Sequence, residues 1–232
     1  LSALHPRYEH AKRARVLAEL APRLLQLARR AKGYNIGLTI DAEEADRLEL
    51  SLDVIEAAWA DASLAGWNGF GIVVQAYQKR APRVIDWIAD LARRHGRRIP
   101  VRLVKGAYWD SEVKRAQVDG LPGYPVFTRK PNTDVSYQAN AAKLLSNTDA
   151  IYPMFATHNA QTIAAIHRMA AALLPDTSPS GRGRNGAAVS GEGTKHVEGS
   201  ARTEPSSGAS RHPSAGSGQA LLPEGEGKKQ GN

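Results

Sequence analysis

A chain of 232 residues with 42% hydrophobic and 23% charged side chains carries enough apolar surface for a sizeable core, and its lack of cysteine excludes a disulfide scaffold, a thiolate metal site and a thiol nucleophile. No run nears the roughly twenty apolar residues that span a bilayer, and the opening LSALHPRYEH has no signal-peptide pattern, so the chain reads as cytoplasmic. The net charge of +8 raises the question of a polyanion, but the cations fall mostly on helix faces and helix ends; a basic nucleic-acid-binding module is the weakest reading and no nucleic acid is expected.

Residues 1–4 read as the fragment of a strand, and Leu1 in place of Met makes the start look like a cut through a larger protein. Between His5 and Gly33 the positions Val16, Leu17, Leu20, Leu24, Leu25 and Leu27 recur at helical spacing, with Gly33 as a natural stop. NIGLTID, from Asn35 to Asp41, alternates as a strand does, and a second helix follows from Ala42 to about Leu64. After a glycine turn, Ile72, Val73 and Val74 lead a strand up to Gln75. Ala81 to His95 is a third helix with Gly96 as its C-cap, and Ile99 to Lys105 a third clear strand. Ser111 to Gly120 looks helical and Asp119 to Lys130 is a loop; Asn132 to Leu145 is helical again, with Thr133 or Asp134 as cap. Ile151 to His158 is the last strand and Asn159 to Leu173 the last helix.

Strands alternating with helices over short connections mean an α/β fold with a parallel sheet. A closed barrel needs about eight strands over roughly 250 residues, and this pattern supplies about five, so the sheet is either open or an incomplete barrel. Residues 174–232 break the pattern: they hold no Phe, Tyr or Trp and more than half of the 21 glycines. Such a Gly/Ser/Pro/Arg-rich tail cannot bury enough surface to offset its ordering entropy and is expected to be disordered, which divides the chain into 1–173 and 174–232.

In parallel α/β folds binding groups sit where strands end. Four strands here end in Asp41, Gln75, Lys105 and His158, which belong on one rim. The decapeptide VRLVKGAYWD is the densest part of it: Arg102 and Lys105 lead to Gly106, Ala107, Tyr108 and Trp109. Two cations, a bare backbone and two aromatics at one strand end suit a planar anionic ligand, since unpaired charges would be costly in a core. There is no GxGxxG or P-loop, no HExxH and no GxSxG, and the carboxylates show no metal-ligand spacing, so no metal is expected.

Six stretches in order, LSALHPRY, IDAEEADRLELSLDVIE, LAGWNGFGIVVQAYQKR, RLVKGAYWDSEVKRAQVDG, GYPVFTRKPNTDVSY and IYPMFATHNAQTIAAI, closely resemble the proline dehydrogenase domain of the bacterial proline utilization A flavoproteins. The resemblance runs from Leu1 to about Met169 and implies an incomplete (β/α)8 TIM-type barrel that binds FAD and oxidises L-proline to Δ1-pyrroline-5-carboxylate, with a membrane quinone as electron acceptor in the parent protein.

Carried onto this sequence, the resemblance puts Arg102 beside the reactive flavin nitrogen and gives Gln75 a hydrogen bond to the isoalloxazine. Lys105, Gly106 and Ala107 pass along the cofactor and Trp109 packs beside it. Tyr108 presses on the proline ring. Thr128, Arg129, Lys130, Thr157 and His158 address the pyrophosphate and adenosine end. Asp41 lines the proline pocket and pairs with a lysine that the family carries just before residue 1. The family's later strands and its carboxylate-gripping arginines are replaced by the tail, so impaired turnover is expected; the rival is a non-catalytic remnant with no ligand.

Overall fold

The computed structural model describes residues 1–173. In chain order these form α1 (Arg13–Gly33), β1 (Leu38–Ile40), α2 (Leu48–Trp59), β2 (Phe70–Gln75), α3 (Ala81–Arg94), β3 (Ile99–Val104), α4 (Trp109–Val118), α5 (Lys130–Leu145), β4 (Ile151–Phe155) and α6 (Ala160–Leu173). The strands make one parallel sheet in the order β1-β2-β3-β4. Strand order that follows chain order, with no reversal, is the arrangement of a barrel wall and not of a doubly wound sheet.

Side-chain alternation sets which face is covered. In β3 the residues Ile99, Val101 and Leu103 are buried while Pro100, Arg102 and Val104 are half-exposed. The buried set meets α3, whose Val84, Ile85, Ile88 and Leu91 lie along one stripe, and α5, which contributes Tyr137, Ala141 and Leu144. The other face, carrying Arg102, is the open inner face. Tyr137 ties α5 to the sheet, its hydroxyl donating to the carbonyls of Leu103 at 3.3 Å and Ala156 at 3.2 Å.

One charge lies within the wall. Arg97, only 8% exposed, places its guanidinium 3.7 Å over the Trp59 ring and donates to the Leu64 carbonyl at 2.6 Å and to the Trp59 carbonyl. The Trp59 carbonyl is at the negative end of α2, so the cation serves as its C-terminal cap.

Four strands, not about five, are present among the described residues. Residues 2–4, expected as a strand fragment, form a 3-10 turn in which Leu4 N–H donates to the Leu1 carbonyl at 2.9 Å; three-residue spacing turns Leu1 and Leu4 toward the same apolar cluster. Helix α1 starts at Arg13, not near His5, because His5 is buried against Glu19 at 3.1 Å and its ring accepts the Arg7 N–H, which bends the chain before the helix begins. Helix α5 begins at Lys130, so Thr133 and Asp134 lie inside it and cap nothing; Pro131, with its fixed φ, suits the first turn and moves the start forward. The tail expected at 174–232 lies outside the described residues.

Candidate active site

The pairing register brings the strand-end side chains together. Ile40 pairs with Ile72 and Val73 with Arg102, so Asp41 and Arg102 flank Val73 on the open face. The Arg102 guanidinium donates to the Asp41 carboxylate across that strand. Asp41 and Arg102 stand at one level of the sheet, two strands apart, within reach of a long side chain; the lysine expected ahead of residue 1 lies outside this sequence.

One step higher, Gln75 is 4% exposed and has both ends of its amide taken up by backbone. Its Nε2 donates to the Glu43 carbonyl at 2.9 Å and its Oε1 accepts the Ala107 N–H at 3.1 Å. It joins the loop after β1 to the loop after β3. Gly106 in that second loop has φ +144, and a Cβ there would stand 2.5 Å from the Tyr77 ring. Only glycine accepts both that backbone and that closeness. The Tyr77 hydroxyl accepts the Tyr108 N–H at 3.3 Å, and burial pushes its own ionisation well above the usual phenol range.

Above this floor lies a cleft of 630 Å³ lined by Asp41, Gln75, Arg102, Lys105, Gly106, Ala107, Tyr108, Thr157 and His158. All four strand-end residues read from the sequence meet here. A second cleft of 430 Å³ is lined by Tyr77, Trp109, Thr128, Lys130 and Thr133, and Lys105 and Gly106 line both. Trp109 is half-exposed, its Nε1 donating to the Phe127 carbonyl at 3.0 Å. Arg129 lines neither cleft and occupies the position just before α5. Asn159, beside His158, caps α6, its Oδ1 accepting the Thr162 N–H at 2.9 Å.

Three participants were not among the candidates read from the sequence. Tyr77 supports Gly106 from beneath. Glu112, 4% exposed, accepts the Ala45 N–H at 2.5 Å and ties α4 to the loop after β1; burial raises its carboxyl above the usual range, against that hydrogen bond. Asp134 accepts from Lys105 at 2.5 Å with one carboxylate oxygen and from Lys130 at 2.7 Å with the other, and these hydrogen bonds hold its carboxyl below the ordinary range. Only Asp134 had a local sign, the four-residue spacing from Lys130.

Among the described residues no helix is long and apolar enough to cross a membrane. Comparison with known proteins finds the family described as proline dehydrogenase over residues 2–178. The bifunctional proteins PutA of Salmonella typhimurium and Escherichia coli are 64% and 63% identical over 170 residues, 73% of this chain in each case. The hydroxyproline dehydrogenase of Bos taurus is 28% identical over 68% of the chain. A crystal structure of a Bradyrhizobium japonicum proline utilization A variant superposes with a TM-score of 0.72 at 63% identity, covering 73% of this chain and 18% of that one. The four-stranded sheet is therefore an arc of the TIM-like barrel of such domains. The chain spans 13% of the length of the two PutA relatives. With the family match over residues 2–178 and the fold agreeing, this chain belongs to the proline dehydrogenase family.

Proposed function

We propose that the rim binds FAD and L-proline and serves oxidation of proline to Δ1-pyrroline-5-carboxylate. The observation that carries this reading is the convergence of Asp41, Gln75, Arg102, Lys105 and His158 on one 630 Å³ cleft that shares Lys105 and Gly106 with a second. Volumes of several hundred Å³ with a few fixed polar groups are those of cofactor sites. The residues present fit such a group: Gly106, seated against the Tyr77 ring, presents backbone without a side chain to both clefts, and cations stand in both.

FAD, when bound, would accept the hydride leaving the proline ring carbon. Arg102 supplies a fixed guanidinium to negative charge on the ring system, and Asp41 holds that guanidinium in place. Gln75 braces the Gly106–Ala107 backbone through its own amide. Tyr108 seats the proline ring and excludes water from it, and Trp109 walls the cofactor on the second cleft. Lys105, Thr128 and Lys130 address the phosphates, with Thr157 and His158 on the far side of the first cleft. Arg129, outside both clefts, would serve the same phosphates only by a turn of its side chain.

On this reading the barrel arc takes up 1–173, and the separate segment assigned to 174–232 lies outside the described residues. In the parent protein electrons pass to a quinone at the membrane surface from an otherwise cytoplasmic domain, and no nucleic acid is engaged. Turnover by this chain alone is low, because among the described residues β1 and β4 each have an unpaired edge and the inner face is open. The test is purification of the chain with its absorbance followed at about 450 nm, where oxidised flavin absorbs, and with proline-dependent reduction of a redox dye. Co-purifying flavin and slow dye reduction support the reading. A colourless chain that takes up no added FAD overturns it in favour of a non-catalytic remnant.

A further inference from the structure

We propose that Asp134 is the positioning residue of the two-cleft site, tying Lys105 and Lys130 into one cationic bracket across the ridge that separates the clefts. Lys105 is the first residue beyond β3 and lines both cavities; Lys130 is the first residue of α5 and lines the second. They come from different βα units, and the carboxylate joins them, one oxygen to each ammonium, at 2.5 and 2.7 Å.

Helix stability does not explain this arrangement. A lysine at the first position of α5 faces the positive end of the helix dipole, and lysine preceding aspartate by four residues is the weaker order for such pairs. The placement is unfavourable for the helix and favourable for a bracket. Asp134 offsets the repulsion between two neighbouring ammoniums and limits where each can go, leaving one net positive charge on a ridge with cavities on both sides. Its side chain is 35% exposed and that of Lys105 33%, so the bracket is accessible to a ligand without being free in solvent.

What the bracket does for FAD rests on the function proposed above; that Asp134 sets the position of Lys105 does not. The experiment therefore has two arms on the full chain. In the first, lysine acylation by a small amine-reactive ester is followed residue by residue by mass spectrometry. An amine held on a carboxylate must leave it before attacking, so Asp134→Asn and Asp134→Ala should each raise the Lys105 rate about threefold to fivefold, with Asp134→Glu near wild type and distant lysines such as Lys12 unchanged. In the second arm, FAD affinity is measured by flavin fluorescence for the wild type, Asp134→Asn, Lys105→Met and the double variant. Asp134→Asn should weaken FAD by about threefold to tenfold, and in the Lys105→Met background it should change little, since its partner is gone.

Unchanged Lys105 labelling in both Asp134 variants overturns the inference, as does an Asp134→Asn loss of affinity that persists in full without Lys105. If the wild-type chain binds no FAD, the function proposed above fails while the labelling arm still decides the role of Asp134. The isosteric Asp134→Asn keeps the comparison valid if the alanine variant does not fold.

Discussion

Arg102 and Asp41 meet over Val73, bridging two strands at one level of the sheet. The pair joins the end of the first strand to the third through side chains alone, on the half-exposed face of β3. Asp41 is largely solvated, 76% exposed against 37% for Arg102, so the value of the pair lies in where it holds the guanidinium and not in fold stability.

Substitution of Asp41 by Asn should accordingly leave thermal stability nearly intact, a change of about 0–1 kcal/mol and no more than about 4 °C in Tm. In flavin-loaded protein the same change should lower proline-dependent dye reduction well below wild type. A Tm fall beyond that range would mean that the pair supports the fold.

Gly106→Ala meets two obstacles, a positive φ and a Tyr77 ring 2.5 Å from the new Cβ. Backbone strain and overpacking of this kind cost about 1–3 kcal/mol each, together about 2–6 kcal/mol. Urea denaturation should show a loss in that combined range, and Gly106→Ala should cost less in a Tyr77→Ala background, where the collision is gone. A double variant as unstable as the sum of the singles would exclude the ring as the cause.

Arg97 should be among the least replaceable charges of the described residues. Arg97→Met keeps much of the packing over Trp59 but leaves the carbonyls of Trp59 and Leu64 without a donor, a loss of about 2–4 kcal/mol. Chemical denaturation measures it, and a loss below about 1 kcal/mol would show that water replaces the guanidinium readily.

Glu112 gives the pH dependence a sign. Burial raises its carboxyl in the folded state, so the folded chain holds the proton more tightly than the unfolded one. The stability this contributes is complete below the ordinary glutamate value and is lost as pH rises through the raised folded value. Glu112→Gln mimics the protonated form and can still accept the Ala45 N–H. It should match wild type near pH 4 and equal or exceed it at pH 7 in denaturation titrations. A variant less stable than wild type at pH 7 would show that the ionised carboxylate is the favoured form.

Much of this architecture is legible in the chain. The alternation in β1 and β3 and the apolar run of β2 locate the strands, and polar residues at strand ends locate the rim; Asp41, Gln75, Lys105 and His158 all line the first cleft. What escapes is what depends on contacts distant in sequence. Arg102 finds Asp41 across 61 positions, Lys105 finds Asp134 across 29, and Tyr77 meets Gly106 only once β2 and β3 are side by side. Asp134 looks like a helix cap because caps are local and brackets are not. The first four residues mislead for the opposite reason: a short apolar segment does not distinguish a strand from a turn.

Among the described residues each strand of the sheet pairs only with strands next to it in the chain. The sheet therefore grows by one βα unit at a time along the chain, although β2, buried at every position, has its surroundings completed only by β3 and α3. The Asp41–Arg102 bridge needs the chain only as far as β3 and the Lys105–Asp134 link needs it as far as α5, so the residues that complete the floor of the first cleft precede in the chain those that complete the ridge dividing it from the second.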